Sequence, residues 1–166
     1  HREPQARIAL GADVVLQAMP RRDHADMHSP VKWLADRPGA SITVGDDTRI
    51  NGACIHAVKS IRIGARCLLA AGVQVLDSNG HEVCMENPAR RIQSVDEGRP
   101  VVIEDDVWLG LNVVVLPGAN IGAGSVIGAG VVVSGTIPPR SIVKSPKLRI
   151  MRDGDTGTGE GGAWLD

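Results

Sequence analysis

The chain has 166 residues, 43% of them hydrophobic, with three Trp, no Phe, no Tyr and a formal net charge of −1. This length makes one domain, the near-neutral charge gives no reason to expect nucleic acid or an anionic membrane as partner, and no apolar run approaches the ~20 residues of a membrane span. A core that is aliphatic yet nearly ring-free suits a narrow interior filled with Val, Ile, Leu and Ala.

Leu10 and Leu16 bracket LGADVV, the first of a series of six-residue units, and predict a first coil over about 8–17. Residues 18–41 are rich in charge and proline and are expected to loop outward. Within them His24 and His28 stand at i and i+4, a spacing that suits a metal only on a helix; the glutamate of a zinc-protease motif is absent, and no metal is expected. Over 42–80 the period resumes, with Val44, Ile50 and His56 opening one triplet of units and Ile63, Leu69 and Val75 the next. The step between these triplets is 19, so one residue is inserted near 58–60. Residues 81–100 interrupt the pattern. From Ile103 to Pro138 the units IEDDVW, LGLNVV, VLPGAN, IGAGSV, IGAGVV and VSGTIP follow in succession, and the tail 146–166, with its DGDTGTGEGG run, is expected to be a flexible terminus.

A hexapeptide period is one of the sequence signatures of a parallel β-helix. Each unit supplies a short strand and a corner. If three units close one triangular coil, residues 18 apart stack, placing Ile103 under Ile121, Leu109 under Ile127 and Val115 under Val133. Neighbouring coils then lie about 4.8 Å apart and share ladder hydrogen bonds. Cys54 and Cys67 both fall at the fifth, inward place and read as buried free thiols. Three cysteines without framework spacing fit a reducing cytoplasm. A Met-less start at His1 leaves open whether a leader was removed.

His81 closes the segment DSNGH and opens the long interruption; Pro100-Val101-Val102-Ile103, Val107-Trp108-Leu109-Gly110 and Ile137-Pro138-Pro139 follow it. This ordered set, over roughly residues 42–147, resembles the hexapeptide-repeat acetyltransferases, in particular the galactoside, maltose and capsular-sugar O-acetyltransferase branch. The resemblance implies an all-β, left-handed parallel β-helix with a protruding active-site loop. It also implies acetyl-CoA as co-substrate, a small-molecule or oligosaccharide acceptor, and a homotrimer with its sites at the subunit faces. His81 then corresponds to the general base; an imidazole with a pKa near ~6.5 can take the proton of a sugar hydroxyl at neutral pH. Asn51 corresponds to an asparagine that contacts the acceptor hydroxyl, although Asn51-Gly52 is also ordinary corner chemistry. Asp77 and Asn79 are candidates for holding the acceptor or the imidazole, or else form a turn.

Trp108 takes a sixth, outward place, where a ring gains nothing from the prism core and another surface must cover it. The resemblance puts it in the coenzyme A channel, has a backbone N–H at Gly110 or Leu111 meet the thioester carbonyl, and adds backbone contacts near Ala129 and Ser134. The family's lysine before Ile-Pro-Pro is replaced here by Gly135, so Lys144, Lys147, Arg149 and Arg152 are the available partners for the phosphates. A γ-carbonic anhydrase reading fails because no histidine follows His81. An inactive scaffold, or an N-acetyltransferase acting on an amino sugar or other small amine, are the alternatives kept. Cys84 could in principle carry the acyl group, but no second group is poised to activate it, and direct transfer is expected.

Overall fold

The computed structural model describes residues 5–17 and 29–146. Seventeen short strands wind in sequence around three parallel sheets. Sheet A holds β1 (Arg7–Leu10), β4 (Ser41–Val44), β7 (Ser60–Ile63), β10 (Val101–Ile103), β13 (Asn120–Ile121) and β16 (Thr136–Ile137). Sheet B holds β2 (Val15–Gln17), β5 (Arg49–Asn51), β8 (Leu68–Leu69), β11 (Trp108–Leu109), β14 (Val126–Ile127) and β17 (Ile142–Val143). Sheet C holds β3 (Lys32–Ala35), β6 (Cys54–Ala57), β9 (Gln74–Leu76), β12 (Val114–Val115) and β15 (Val132–Val133). The chain visits A, B and C in turn, so each sheet forms one face of a triangular prism, the β-helix expected from the period.

One inward aliphatic column runs along each sheet. In sheet A, Val44, Ile63, Ile103, Ile121 and Ile137 stand in register. In sheet B the column is Ile50, Leu69, Leu109, Ile127 and Val143, and in sheet C it is Ile55, Val75, Val115 and Val133. Most of these side chains are fully buried. The predicted stacks of Ile103 on Ile121, Leu109 on Ile127 and Val115 on Val133 are all present. Polar residues enter the column only where the backbone satisfies them: buried Thr48 Oγ1 donates to Gly64 O at 2.9 Å and accepts from Cys67 N–H at 3.0 Å.

Four expectations need correction. The third unit of the early coil opens at Ile55, which pairs with Val75, so His56 faces outward and the chain runs five residues from Ile50 and then eight to Ile63. The same shift turns Cys54 out to half-burial, leaving Ala53 at the inward corner; Cys67 stays buried, and burial pushes its thiol pKa up. Residues 32–35, expected to loop outward, form β3 and complete the first coil, with Trp33 against the core. Last, the run does not end at Pro138: Ile121 pairs with Ile137 and Ile127 with Val143, so the final coil shortens to 16 residues and extends through β17. The shortening falls at the corner between Val133 and Ile137, where Ser134-Gly135 turns in four residues with Gly135 at a φ of +73°; the Ile137-Pro138-Pro139 corner keeps the six-residue step to Val143.

Sheet A turns polar residues outward, among them Thr43, Arg62, Asn120 and Thr136, whereas the outward rows of B and C are mainly apolar. None of the helices described is long and apolar enough to cross a membrane. Gly45 sits where one coil lies directly over the next: a Cβ there would come within 2.5 Å of Ala65 N and 2.7 Å of the Gly64 carbonyl carbon. Backbone cannot move aside as a side-chain end can. Gly45→Ala is therefore expected to destabilise the fold by about 1–3 kcal/mol, read from the denaturant midpoint, while Gly80→Ala, with open space around it, faces only the strain of its positive φ.

Candidate active site

A groove of about 580 Å³ runs along the outer face of sheet B. It contains five of the residues singled out in the sequence: Asn51, Trp108, Gly110, Leu111 and Ala129. They meet because strands β5, β8, β11 and β14 stack in register, so outward places of successive coils form rows. Arg49, Leu68, Trp108 and Val126 make one row. Trp108 is 50% exposed, a large apolar surface open to the groove. The Asn51 amide oxygen is buried and has no hydrogen-bond partner among the described residues.

Gly110 is not the free donor. Its N–H bonds Ile127 O at 2.8 Å as part of the ladder, and its missing Cβ lets the next coil approach, since a Cβ would lie 2.8 Å from Ala129 N. The backbone N–H groups of Leu111 and Ala129, one residue further round the corner in their coils, have no partner among the described residues. These two line the groove and can serve a developing oxyanion. Lys144 follows β17 and comes close to Gly128, at the far end of the groove. Lys147, Arg149 and Arg152 lie outside the described residues, as do His24 and His28.

The loop between β9 and β10 leaves the prism at the edge where sheet C passes to sheet A. Two fasteners shape it. Asp77 is fully buried, its two carboxylate oxygens accepting Val58 N–H and Lys59 N–H, each at 2.8 Å. That carboxylate holds the loop base and is not available to an acceptor, which corrects the expected role. Asp96 then ties the returning strand to the outgoing one: it accepts Asn79 N–H at 2.7 Å, the Ser78 hydroxyl at 3.1 Å and Gly98 N–H at 3.1 Å. Asn79 is bound there through its backbone, and Arg37 donates to the Asp96 carbonyl at 2.8 Å.

His81 is exposed at the head of this loop, after Gly80 with φ of +82°. Its Nδ1 lies 3.1 Å from Ser94 O. A carbonyl oxygen only accepts, so this contact selects the Nδ1–H tautomer and leaves a lone pair on Nε2. The Ser94 hydroxyl accepts from Glu82 N–H at 3.0 Å, which locks the two loop strands beside the ring. Cys84 Sγ lies 3.7 Å from the Glu82 carboxylate.

Within one chain His81 and the groove are apart. The loop edge lies across the prism from the face that sheet B presents, and neither His81 nor Asn79 lines the groove. Ser134 is exposed beyond β15, on the sheet C side, and does not join the groove either. Sequence reading missed Arg49, Gln17 and Leu68, which line the groove. Arg49 and Leu68 hold the same sixth hexapeptide place as Trp108, and that shared place was the signal that could have found them.

The repeat described as the hexapeptide repeat of succinyl-transferase matches residues 41–77 and 100–134. The chain belongs to the hexapeptide-repeat acetyltransferase family. The galactoside O-acetyltransferase of Escherichia coli is 36% identical over 94 residues, which cover 57% of this chain and 44% of that protein. A hexapeptide-repeat acetyltransferase of Vibrio cholerae, solved in complex with acetyl coenzyme A, superposes with a TM-score of 0.64 at 30% identity, covering 81% of this chain and 64% of that one. A galactoside acetyltransferase in complex with coenzyme A gives a TM-score of 0.64 at 26% identity, covering 81% and 58%. The family prism is a left-handed parallel β-helix, and this chain shares it. The chain spans about half the length of the curated relatives it matches.

The hydrogen bonds from Asn79 N–H and then Gly98 N–H hold the Asp96 carboxyl below the usual carboxylate range. A depressed pKa means that the fastening is complete above the ordinary value near ~3.9 and is lost as pH falls through the lower folded value. The amide resonances of Asn79 and Gly98 should therefore hold their positions down to that ordinary range and shift together below it. In Asp96→Ala they should take unfastened positions at every pH.

Proposed function

We propose that this protein is an acetyl-CoA-dependent O-acetyltransferase whose acceptor is a saccharide hydroxyl, with His81 as general base. The observation that carries this reading is the pairing of an Nε2 lone pair on a fastened loop with a groove containing Trp108 and two free backbone N–H groups. The pantetheine arm of acetyl-CoA fits along Trp108 and Gly110, with Lys144 at the phosphate end. Nε2 of His81 takes the hydroxyl proton as the acceptor oxygen bonds the thioester carbon, and Leu111 and Ala129 N–H receive the negative charge that develops on the carbonyl oxygen. Collapse breaks the C–S bond, and the imidazolium returns its proton to the departing thiolate. The products are an acetyl ester and coenzyme A.

One chain does not hold both halves of this site, and a homotrimer supplies the missing half. Sheets B and C carry the apolar outward rows and sheet A the polar one, the distribution expected when face B of one copy meets face C of the next in a closed ring. That contact brings the loop at the far edge of sheet C to the mouth of a neighbour's groove. Ser134 and His56, both on the sheet C side, would then also face the junction.

Replacing the base should be costly and replacing the nearby thiol should not. His81→Ala is expected to lower kcat by roughly 100-fold or more with acetyl-CoA affinity retained by calorimetry. Cys84→Ala is expected to leave turnover near that of the parent enzyme, because no acyl-cysteine intermediate forms. Retained activity in the first variant or near-total loss in the second contradicts the direct-transfer route.

A further inference from the structure

The row that carries Trp108 on the groove wall is apolar at every described strand but one. Val15, Leu68, Trp108, Val126 and Ile142 share it with Arg49. Arg49 is exposed in the single chain, and among the described residues it has no ion-pair partner and no carboxylate lines the groove. Closing the groove under a neighbouring copy strips water from this guanidinium. A desolvated cation needs a counter-charge, and none of the described residues of this wall supplies one.

Its place in the stack decides where that counter-charge belongs. Arg49 is two residues from Asn51 on β5, and Gln17, on β2, pairs with Asn51. These three make a polar end of the groove. The free N–H groups of Leu111 and Ala129, with Lys144 beyond them, lie at the other end. Arg49 is two coils from Trp108, about 10 Å at the spacing of stacked strands. The donor thus occupies the end away from Arg49, and the acceptor meets it.

We propose that Arg49 recognises an anionic group, a carboxylate or phosphate, on the acceptor, so that the preferred acceptor is an acidic or phosphorylated saccharide rather than a neutral one. This rests on the transferase reading above and narrows its substrate class. A guanidinium presents a planar fork of donors that matches both groups bidentately.

The test compares galactose 1-phosphate and methyl galacturonoside with methyl galactoside, in the parent protein and in Arg49→Gln and Arg49→Lys. Acetyl transfer is measured together with equilibrium binding in the presence of coenzyme A. The expected ratio of anionic to neutral kcat/KM is at least about tenfold in the parent, as a charge-assisted hydrogen bond gives. It should fall about tenfold in Arg49→Gln, be partly restored in Arg49→Lys, and shrink as salt rises from about 20 to about 500 mM. The phosphate and carboxylate arms separate the two anions. Arg49-dependent binding of an anionic sugar without transfer to any acceptor would uphold this inference and overturn the transferase reading. Three results would overturn the inference itself: equal preference in the parent and in Arg49→Gln, loss of acetyl-CoA affinity in Arg49→Gln, or dissociation of its assembly. The last two assign the guanidinium to the donor's phosphates or to a partner's carboxylate.

Discussion

The register in which one aliphatic side chain per hexapeptide rests on its counterpart in the next coil governs the rest of this molecule. Because Ile50, Leu69 and Leu109 align along one face of the prism, the outward places of the same strands align too, and the row Arg49, Leu68 and Trp108 becomes a continuous wall. The groove is thus a by-product of core packing. Hydrophobic burial sets the register, the ladder hydrogen bonds hold it, and residues distant in sequence meet without any dedicated contact between them. The close coil-to-coil approach at Gly45 and Gly110 follows from the same stacking.

Chemistry enters where the period fails. A regular coil has no means of holding a side chain away from its own surface, and the loop between β9 and β10 does this with polar fasteners in place of a core. Asp77 anchors the base from inside the prism, Asp96 joins the two strands, and Ser94 fixes the imidazole. Each carboxylate is satisfied by backbone N–H groups, so the loop holds its shape at small cost in buried charge. The arrangement delivers an oriented Nε2 at one edge of the prism and a groove on the opposite face. Such a division of labour is what the proposed assembly, in which copies complete one another's sites, requires.

Much of this was legible in the sequence, and the failures share one physical origin. Six regular units after Ile103 made the later stacks and the position of Trp108 readable, because strict periodicity leaves a single register. Near residues 50–63 two irregularities of opposite sign nearly cancel, so the net step of 19 concealed that Ile55, not His56, faces inward. Strand β3 and Trp33 escaped notice because a unit flanked by charge and proline carries too few periodic positions to stand out. A backbone N–H at Gly110 or Leu111 was expected to face the groove; that the ladder uses the one at Gly110 is a fact only the pairing with Ile127 reveals. Arg49 held the same hexapeptide place as Trp108 and was passed over for lack of any motif. Fasteners such as Asp96 and Ser94 depend on how a non-repetitive loop closes, and periodicity carries no information about that.

The claim that His81 of one copy serves the groove of another is tested most directly by mixing two damaged chains. His81→Ala and Trp108→Ala are each purified, shown to assemble, and assayed alone and after being unfolded and refolded together. If the site lies between copies, mixed assemblies contain junctions with an intact loop facing an intact groove, and activity should rise well above that of either parent. Mixed assemblies that stay as inactive as their parents, or a chain that remains monomeric at micromolar concentration, would contradict the shared site.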